Sequence, residues 1–541
     1  MQIPEAGKLP QTRRDSWLQS IWNRGQGIIT TPNVVGVIAC AALLFLLLVP
    51  PLPWNIRLSL YGAALVWTIL RPRTALYLMA FAIPWGSLDY IDVSALRLNS
   101  ADILVVFLAL GWLLNCGLAA YTKLRDREAA HVPLYLILAM LALLGTMLLS
   151  MTVALNVKDS LKEISKWLEV LVILLLGSQY LRTRRQIWTI IVLICIAGVT
   201  QAFYGYFQAY LSLGPASFIR SDILRVYGTF DQPNPFAAYI NLPLSIALAL
   251  TLLGRDWLTR TLAGTAALAL AIAEYLSQSR GAEIALAAAL AFIILAGMPA
   301  IRKMFRILLI ALLGFCAALL VGVVPQSLFN PALKFLGLSG ISLAAPDNAD
   351  FSTAERLAHW LAGLHMYFAH PLLGVGIGNY PDAYPPYHIT IFLDPLGHAH
   401  NYYINIAAEM GTIGLIVYLL FLFAIFFAGI RILQRINRRY WRTKALPVQA
   451  QPPIQPPVSV RDRLLLLCHP FRLVRHYRQP WPIETVGMLT NDRALTIGLI
   501  AALITVSVHN FVDDVYVHSL TSLITLLLIA LIRLERVTPD V

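Results

Sequence analysis

Residues 398–430 read HAHNYYINIAAEMGTIGLIVYLLFLFAIFFAGI. From Tyr403 to Ile430, Glu409 is the only charged residue of this stretch. An α-helix rises about 1.5 Å per residue, so about 20 apolar residues cross the roughly 30 Å hydrocarbon core of a bilayer. The stretch therefore predicts a transmembrane helix over 403–430 that begins just after a pair of histidines.

The composition extends this prediction to the whole chain of 541 residues. Hydrophobic residues make up 58% and charged residues 13%, whereas a soluble domain has about a quarter of its residues charged. These values exclude a water-soluble enzyme and predict an all-α, polytopic integral membrane protein. We predict about fourteen transmembrane helices, in a range of twelve to fourteen, at 34–50, 56–70, 74–90, 101–120, 132–153, 164–181, 186–210, 236–253, 259–278, 281–299, 305–323, 403–430, 494–511 and 515–532.

The predicted organisation alternates groups of spans with two long connections. The regions are a cytoplasmic N-terminal segment (1–33), transmembrane helices 1–11 (34–323), a large exported loop with short helices (324–402), transmembrane helix 12 (403–430), a cytoplasmic Pro-rich and basic linker (431–493), transmembrane helices 13–14 (494–532) and a cytoplasmic tail (533–541). The Pro/Gln-rich part of the linker is expected to be extended and flexible.

The formal net charge of +13 could indicate either a nucleic-acid partner or membrane topology. If the N-terminus is cytoplasmic, 31 of the 41 Lys and Arg residues fall on the cytoplasmic side, as the positive-inside rule requires. That side then carries +21 and the opposite side −8. The charge therefore predicts contact with membrane lipids and no nucleic-acid partner, with both termini in the cytoplasm.

The exported connection 324–402 is long, and long connections in compact proteins are usually functional. Within it, Ser352 is followed three residues later by Glu355, which is typical of a capping box. This pattern predicts a helix that ends near Ala369, before Pro371. We expect the substrates to meet at this loop.

Arginine is scarce on the exported side, where a guanidinium can bind phosphate oxygens two at a time. Four of the six exported arginines lie near the loop or near short turns between spans: Arg220, Arg225, Arg280 and Arg356. Each could instead contact a lipid headgroup or form a structural ion pair. The candidate carboxylates for such pairs are Asp222, Asp231 and Glu283.

His400 lies between the exported loop and the span quoted above. Imidazole readily exchanges a proton near neutral pH, so His400 is a candidate general base, with a structural role at the helix start as the alternative. The His398-x-His400 pair also resembles part of a zinc site, but it lacks further ligands at defined intervals. We therefore predict no metal, although three further ligands are within reach in the sequence: His370, His388 and Asp394.

The glycines of HPLLGVGIGNY, residues 370–380, could be mistaken for a nucleotide-binding loop. They follow a predicted surface helix rather than the β-strand that the nucleotide-binding fingerprint requires. We expect them to turn the backbone close to a ligand or to the bilayer.

The exported position of these residues limits the possible reactions. That side of the membrane has no nucleotide pool, so a synthetic reaction there needs a donor that is activated in the cytoplasm and carried across. A lipid diphosphate meets this requirement, because exported arginines can stabilise the charge that develops on its leaving group.

These residues together resemble the O-antigen ligase and polymerase family of bacterial membrane glycosyltransferases. The strongest similarity is His400-Asn401 followed, after nine residues, by Gly411-Thr-Ile-Gly414. Three further stretches support it in the same order along the chain: Arg225-Val-Tyr-Gly-Thr-Phe-Asp-Gln-Pro-Asn234, Ser279-Arg280-Gly281, and Arg356 with Trp360 leading into 370–380. The resemblance covers roughly residues 185 to 430.

The resemblance implies a glycosyltransferase-C-like helical bundle in the bacterial inner (plasma) membrane, with its active site on the periplasmic or extracellular face. It implies a metal-independent, inverting enzyme without a cofactor. Such an enzyme moves a glycan from a polyprenyl-diphosphate-linked donor to a hydroxyl of a lipid, glycan or protein acceptor, in the biosynthesis of surface polysaccharide or lipopolysaccharide.

The same resemblance implies roles for the residues that stand at the matching positions of the family's motifs. His400 is implied to be the catalytic base, and Arg225 and Arg280 to grip the donor diphosphate, with Arg220 competing for the place of Arg225. Secondary substrate contacts are implied at Arg356, Asn401, His398 and Asn234.

Two alternative functions stay open. A polymerase of polyprenyl-linked repeat units needs the same donor grip and base, and it differs from a ligase in its acceptor. A transporter of a small solute such as bicarbonate would suit fourteen spans, but the intramembrane charges are few and do not recur in two matching halves. One such pair, Lys166 and Glu169, is expected to form within one helix as a structural contact.

Overall fold

The computed structural model describes most of the predicted bundle. The described residues are 53–88, 90–93, 96–122, 132–220, 223–298, 351–445, 486–517 and 519–535, with scattered residues between 303 and 343. Several predicted regions lie wholly or mostly outside them: the segment 1–33, the spans at 34–50 and 305–323, the first part of the exported loop, and the linker from 446 to 485.

Within the described ranges the chain is built from α-helices joined by short connections. The helices are α1 Trp54–Leu70, α2 Arg73–Trp85, α3 Ser100–Thr122, α4 Leu134–Met151, α5 Val157–Tyr180, α6 Arg184–Leu211, α7 Pro233–Leu253, α8 Trp257–Ser277, α9 Arg280–Gly297, α10 Phe351–Ala369, α11 Tyr380–Ala383, α12 Tyr402–Ala445, α13 Val486–His509 and α14 Leu520–Leu534. Two antiparallel hairpins lie in the connections: β1 Tyr90–Val93 with β2 Leu96–Asn99, and β3 Ile219–Arg220 with β4 Ile223–Leu224.

The helices have the length and surface of a membrane protein. Among the helices of the described residues, six are long and apolar enough to cross a membrane, namely α4, α6, α7, α9, α12 and α13. Large apolar side chains such as Leu141, Leu268 and Phe423 stay exposed on the helices, where lipid would cover them. The predicted all-α membrane class is therefore confirmed, whereas the number of spans and the borders of the regions stay predictions.

Helix α13 packs against four other helices: α7, α9, α12 and α14. Its contact with α7 is close at Gly498, where a Cβ would lie 2.9 Å from the Cα of Ile246. The backbone of Asn510, just after α13, accepts the N–H of Tyr402 at 2.8 Å. The end of α13 is therefore fixed beside the start of α12.

Arginines tie together the connections at one end of the bundle. Arg184 pairs with Asp492 at 2.9 Å, and Arg533 donates its Nε–H to the carbonyl of Leu181 at 2.9 Å. Both hairpins and the segment 370–401 belong to connections at the opposite end, which also holds His400. We call this the His400 end.

The expected pair of Lys166 and Glu169 is a wrong prediction. The Nζ of Lys166 instead pairs with Glu163 at 2.8 Å and donates to the carbonyl of Tyr516 at 2.9 Å. Residues three positions away in either direction are neighbours on a helix. Glu163 and Glu169 are therefore both within reach of Lys166. Its Nζ lies on the side of Glu163, where the carbonyl of Tyr516 in the connection after α13 is a second hydrogen-bond acceptor.

Helix α12 is broken at Gly411, and the segment 370–380 fills the break. In a regular helix the N–H of Thr412 would donate to the carbonyl of Ala408. Here it donates to the carbonyl of Pro371 at 2.8 Å, and the Ala408 carbonyl accepts the N–H of Val375 at 2.9 Å. The segment thus completes the hydrogen bonds that the kink leaves open, as buried backbone groups require.

Close backbone contact explains the glycines on both sides of this junction. Gly374 and Gly411 have φ values of +69° and +63°, which glycine adopts without strain. A Cβ at Gly374 would lie 2.2 Å from the carbonyl carbon of Glu409, and one at Gly411 would lie 2.3 Å from that of Leu372. The backbone turns as the sequence predicts, and its close neighbour among the described residues is another stretch of backbone.

We predict that Gly411→Ala destabilises the protein by at least about 2 kcal/mol, because the new Cβ meets backbone atoms and the φ value is strained for alanine. The melting temperature of the purified protein in detergent should fall accordingly. Gly145→Ala on α4 is the matched control, since a Cβ there meets no atom within 4 Å and alanine favours the helix. Equal melting temperatures for the two variants would contradict the close contact.

Candidate active site

His400 is held from two sides at the start of α12. Its backbone N–H donates to Nδ1 of His398 at 3.0 Å, and its carbonyl accepts from Nε1 of Trp360 at 3.0 Å. His400 has a φ of +51°, a left-handed conformation that is uncommon for a residue other than glycine. Strained backbone of this kind clusters at functional sites.

The ring of His400 faces Asp513, which lies in the connection between α13 and α14. Its Nδ1 is 3.2 Å from Oδ1 of the carboxylate. Asp513 is only 7% exposed, and it accepts two further N–H groups, from the backbone of Asp514 at 3.0 Å and from Asn234 Nδ2 at 2.8 Å. The carboxylate is therefore buried with the hydrogen bonds that a buried charge requires.

The hydrogen bond to Asp513 decides which nitrogen of His400 is free. An ionised carboxylate only accepts hydrogen bonds, so His400 carries a proton on Nδ1, and the neutral ring has its lone pair on Nε2. That Nε2 is buried and has no hydrogen-bond partner within the described residues. Because buried polar atoms are usually paired, an unpaired Nε2 suits a proton acceptor whose partner is a substrate.

Asp513 is held in its ionised form. Burial alone would raise its pKa, but the hydrogen bond from His400, the charges that His400 and His398 carry when protonated, and the charge of Arg356 outweigh burial, so the pKa lies well below its usual range. The neighbouring Asp514 behaves differently, because burial raises its pKa to about 6. Asp513 can therefore hold the His400 ring in one orientation and stabilise it when it gains a proton.

Asn234 links this pair to Arg225. While its Nδ2 donates to Asp513, its Oδ1 accepts from Nη2 of Arg225 at 3.3 Å and from Oγ of Ser279 at 3.0 Å. Arg225 also donates its Nε–H to the carbonyl of Ser277 at 2.9 Å. The segment before α7 and the turn between α8 and α9 therefore meet beside the histidine–aspartate pair.

Two buried glutamines of α6 hold the segment that follows Arg225. Gln208 accepts the N–H of Gly228 at 2.8 Å and donates to its carbonyl at 2.7 Å. Gln201 accepts the N–H of Thr229 at 3.3 Å. These bonds satisfy the backbone of an irregular, buried segment and so fix the position of Arg225.

The remaining predicted arginines differ in burial and in position. Arg280 is exposed at the first position of α9, and a helix N-terminus favours anions. Arg356 on α10 is partly buried, and its charge acts on Asp513. The side chain of Arg220 lies outside the described residues.

Asn401, a predicted substrate contact, is buried and uses its side-chain oxygen within the protein. Its Oδ1 accepts the N–H groups of Tyr403 and Ile404 at 3.0 and 3.1 Å. These N–H groups lie in the first turn of α12, where helices lack internal partners. The oxygen therefore caps α12, and a contact of Asn401 with substrate stays a prediction.

His398, His400 and Asp513 have ligand atoms within 4.8 Å of one another, so the fit of a metal ion needs testing. A metal would need the lone pair of His398 on Nε2, which lies 3.9 Å from Oδ1 of Asp513. However, Nδ1 of His398 accepts an N–H, so the neutral ring carries its proton on Nε2. Burial, followed by the charge of His400, lowers the pKa of His398 to about 4, so that the ring is neutral at pH 7. A metal ion here would have to displace the Nε2 proton of His398 and the Nδ1 proton of His400. The absence of a metal stays a prediction.

The further ligands weighed from the sequence do not join this cluster. His370, His388 and Asp394 are all exposed. The ring of His370 is 3.3 Å from the hydroxyl of Tyr387, and that of His388 is 2.7 Å from the carbonyl of Pro385.

Residues 265–419 match the family described as O-Antigen ligase. The chain carries a domain of the O-antigen ligase family. This match confirms the resemblance, and the matched range includes Arg280, Arg356 and His400. A search of the curated proteins finds no match. The ligase domain supports a glycosyltransferase-like enzyme of polysaccharide biosynthesis, with a lipid-linked glycan and an acceptor as partners.

The site draws on residues from both sides of the ligase domain. Arg225 and Asn234 precede the matched range, and Asp513 follows it. Sequence reasoning missed Asp513 because it lies 113 positions after His400, beyond the Pro-rich linker. The available signal was the pair Asp513-Asp514 in a short connection between two predicted spans, since charges close to the membrane interior are costly and usually functional.

His359 of α10 is a second residue that the sequence did not reveal. It is fully buried, its Nδ1 is 3.1 Å from the hydroxyl of Tyr380, and its ring centroid is 5.6 Å from that of His400. Burial, followed by the charge of His400, lowers its pKa to about 4. His359 therefore packs against His400 as a neutral ring at pH 7.

We predict that the folded protein loses stability as the pH falls from 7 to 5, in part through His359. Its pKa of about 4 in the folded protein lies below the ordinary value for histidine, so the unfolded chain binds a proton that the folded chain does not. At pH 5 this difference amounts to a loss on the order of 1 to 2 kcal/mol. The melting temperature of the purified protein in detergent, measured from pH 7 to 5, checks it.

The comparison variant is His359→Gln, which has no titrating ring. Its melting temperature should fall less steeply over this pH range, whatever its absolute stability. His365→Gln, at an exposed position of the same helix, should keep the slope of the wild type. Identical slopes for wild type and His359→Gln would remove the argument for a buried neutral histidine.

Proposed function

We propose that the protein is an O-antigen ligase-like, inverting glycosyltransferase. It moves a glycan from a polyprenyl-diphosphate carrier to an acceptor hydroxyl in the biosynthesis of surface polysaccharide or lipopolysaccharide. The observation that carries this proposal is the hydrogen bond between His400 and Asp513, with an unpaired Nε2 on the same ring. The match of residues 265–419 to the ligase family supports it.

In this reaction His400 acts as the base. Its Nε2 takes the proton of the acceptor hydroxyl, and the acceptor oxygen attacks the anomeric carbon of the donor from the face opposite the diphosphate. A carbon–oxygen bond to the acceptor forms, and the bond to the diphosphate oxygen breaks with its electron pair leaving on the diphosphate. Attack from the opposite face inverts the anomeric configuration, while Asp513 stabilises the imidazolium through Nδ1–H.

In this proposal, arginines stabilise the negative charge that develops on the leaving diphosphate. Arg225 lies one side chain away from Asp513, through Asn234, and Arg280 lies at the positive end of the α9 dipole. Arg220 stays a competitor for the place of Arg225. Arg356 adds positive charge near Asp513 and is proposed as a secondary contact to phosphate or glycan.

The proposed orientation in the bacterial inner membrane follows from charge. The end of the bundle that holds Arg184 and Arg533 belongs to the basic connections, so we assign it to the cytoplasm. The His400 end then faces the periplasm or the exterior, and both termini are cytoplasmic. A lipid-linked donor reaches this end by diffusing within the bilayer.

Ligase and polymerase share this machinery, and the acceptor separates them. Surface glycans from a deletion strain, resolved on a gel, distinguish the two. Loss of all attached polymer with accumulation of lipid-linked chains indicates a ligase, whereas a single-repeat product indicates a polymerase. Uptake of solute into proteoliposomes without glycan transfer would favour the transporter instead.

We predict that His400→Ala lowers the rate of transfer from purified polyprenyl-diphosphate glycan by about 10³-fold or more, because the variant lacks the ring that Asp513 orients as a proton acceptor. Asp513→Asn should lower kcat by about 10²- to 10⁴-fold, because the amide no longer fixes the ring or stabilises the imidazolium. His388→Ala is the control, since that ring is exposed and contacts its own loop.

The variants must first show the melting temperature and membrane insertion of the wild type. If correctly folded His400→Ala transferred glycan at the wild-type rate, the proposed base would be wrong. Wild-type kcat in Asp513→Asn would leave His400 in place and remove Asp513 from the mechanism.

We also predict that chelation leaves transfer unchanged. From the hydrogen bonds at His398 and His400 we infer that the ring nitrogens that a metal would need carry protons. Purified protein dialysed against excess EDTA should therefore keep its initial rate, and elemental analysis should find less than one zinc per chain. A rate that EDTA abolishes and a divalent ion restores would show that the metal-independent mechanism is wrong.

A further inference from the structure

A cavity of about 310 Å³ lies between α4, α12 and α14, at the end of the bundle opposite to His400. Four polar side chains line it together with apolar ones: Tyr135 of α4, Arg431 and Arg435 of α12, and Glu535 just after α14. Its volume is at the lower end of the range of about 300 to 1,000 Å³ that is typical of ligand pockets. The mechanism above does not use this cavity, which we call the Arg431 cavity.

The Arg431 cavity has an excess of positive charge. Arg435 pairs with Glu535, whereas Arg431 has no carboxylate partner within the part of the chain that the structure describes. The guanidinium of Arg431 instead lies over the ring of Phe427, with its Cζ 5.4 Å from the ring centroid. Stacking of this kind orients the planar guanidinium and leaves the N–H groups at its edge for another acceptor. The cavity is therefore suited to an anion.

Tyr135 adds a neutral donor to the same cavity. Its ring packs against Phe427, with 5.6 Å between the ring centroids, so Phe427 contacts both Tyr135 and Arg431. The hydroxyl of Tyr135 makes no hydrogen bond to another described residue. Phosphate oxygens accept hydrogen bonds from guanidinium and from phenol groups alike. Tyr135 and Arg431 can therefore bind one phosphate group together.

The depth of the cavity in the bilayer indicates where the phosphate comes from. Arg431 follows the kink at Gly411 by 20 residues, which corresponds to about 30 Å of helix, close to the thickness of the hydrocarbon core. One turn towards the kink, Leu138 on α4 and Phe423 on α12 are exposed apolar side chains. The cavity thus lies at the level of the lipid headgroups, above a surface that suits acyl chains.

We propose that the Arg431 cavity binds the phosphate of an anionic glycerophospholipid from the cytoplasmic leaflet. Arg431 and Tyr135 donate hydrogen bonds to the phosphate, and the acyl chains lie along Leu138 and Phe423. Basic pockets between transmembrane helices on the cytoplasmic side are known to suit such headgroups. The choice of leaflet rests on the proposed orientation, whereas the binding itself does not depend on glycan transfer.

A lipid bound in this cavity contacts three helices that are far apart in the sequence. Helix α12 begins just after His400, and α14 follows the connection that contains Asp513. A ligand that binds only the folded state stabilises that state. The bound lipid therefore strengthens the packing of α12 and α14 on α4 at the end opposite to the candidate active site.

The test uses purified full-length protein in a neutral detergent, with dioctanoyl phosphatidylglycerol as the probe. Native mass spectrometry counts the bound molecules, and the melting temperature follows binding. Phosphatidylglycerol should saturate at one molecule per cavity and raise the melting temperature by at least about 1 °C. Equal binding of dioctanoyl phosphatidylcholine would mean a site without selectivity for anionic lipid, and equal binding of inorganic phosphate would mean a site for the free ion. Either result would overturn the proposal.

Variants assign the binding to the cavity. Arg431→Gln should weaken the binding of phosphatidylglycerol about ten-fold, and Tyr135→Phe about three-fold, because each removes a donor. Glu535→Gln should strengthen it, since the cavity then carries one negative charge less. The matched control is Arg438→Gln, at an exposed position of the same helix outside the cavity, which should bind within about two-fold of the wild type.

The outcomes separate this inference from the proposed function. Equal losses in Arg431→Gln and Arg438→Gln would overturn the inference, because a general attraction between basic residues and anionic lipid would then explain the binding. Glycan transfer by a wild-type protein that binds no phosphatidylglycerol would overturn the inference alone. Selective binding by a wild-type protein that transfers no glycan would support the inference and overturn the proposed function.

Discussion

The candidate site depends on one backbone junction, at which the segment 370–380 enters the break in α12. The carbonyl of Ala408 and the N–H of Thr412 exchange their mutual hydrogen bond for bonds to Val375 and Pro371. Glycine at 374 and 411 makes this approach possible. The segment 370–380 thus makes backbone hydrogen bonds to α12 on both sides of the kink. These bonds hold the segment and the first part of α12 together. The proposed role of His400 needs that rigidity, because a base placed even about 1 Å away from its substrate loses much of its effect.

A single buried carboxylate then organises the charged groups. Asp513 accepts from His400 and Asn234, and Asn234 accepts from Arg225. A buried charge with incomplete hydrogen bonding would cost several kcal/mol, so these donors stabilise the folded protein. The proposed base and the proposed diphosphate-binding arginine are therefore parts of one hydrogen-bond network.

The sequence reveals the parts of this protein that depend on local patterns. Apolar runs predict most of the described helices, because a bilayer requires length and apolarity within one continuous segment. His400 is found because it lies next to such a run, in a spacing that resembles the ligase family. The sequence does not reveal Asp513 and His359, because both matter through tertiary contacts with His400. Lys166 shows that a spacing within one helix does not decide between partners. Glu163 and Glu169 both lie three residues from Lys166, and the carbonyl of Tyr516, its second partner, lies in a connection that is distant in the sequence.

The position of Asp513 along the chain also has a consequence for biogenesis. Translation inserts helices in order from the N-terminus, so His400 and both neighbouring arginine segments reach the membrane before the connection that contains Asp513. Until α13 and α14 are inserted, His400 has no carboxylate beside its Nδ1, and the matched domain lacks part of the proposed site. Under the proposed function, a partly made chain therefore holds the base without the partner that orients it, and the site is completed only when the last two described helices are in place.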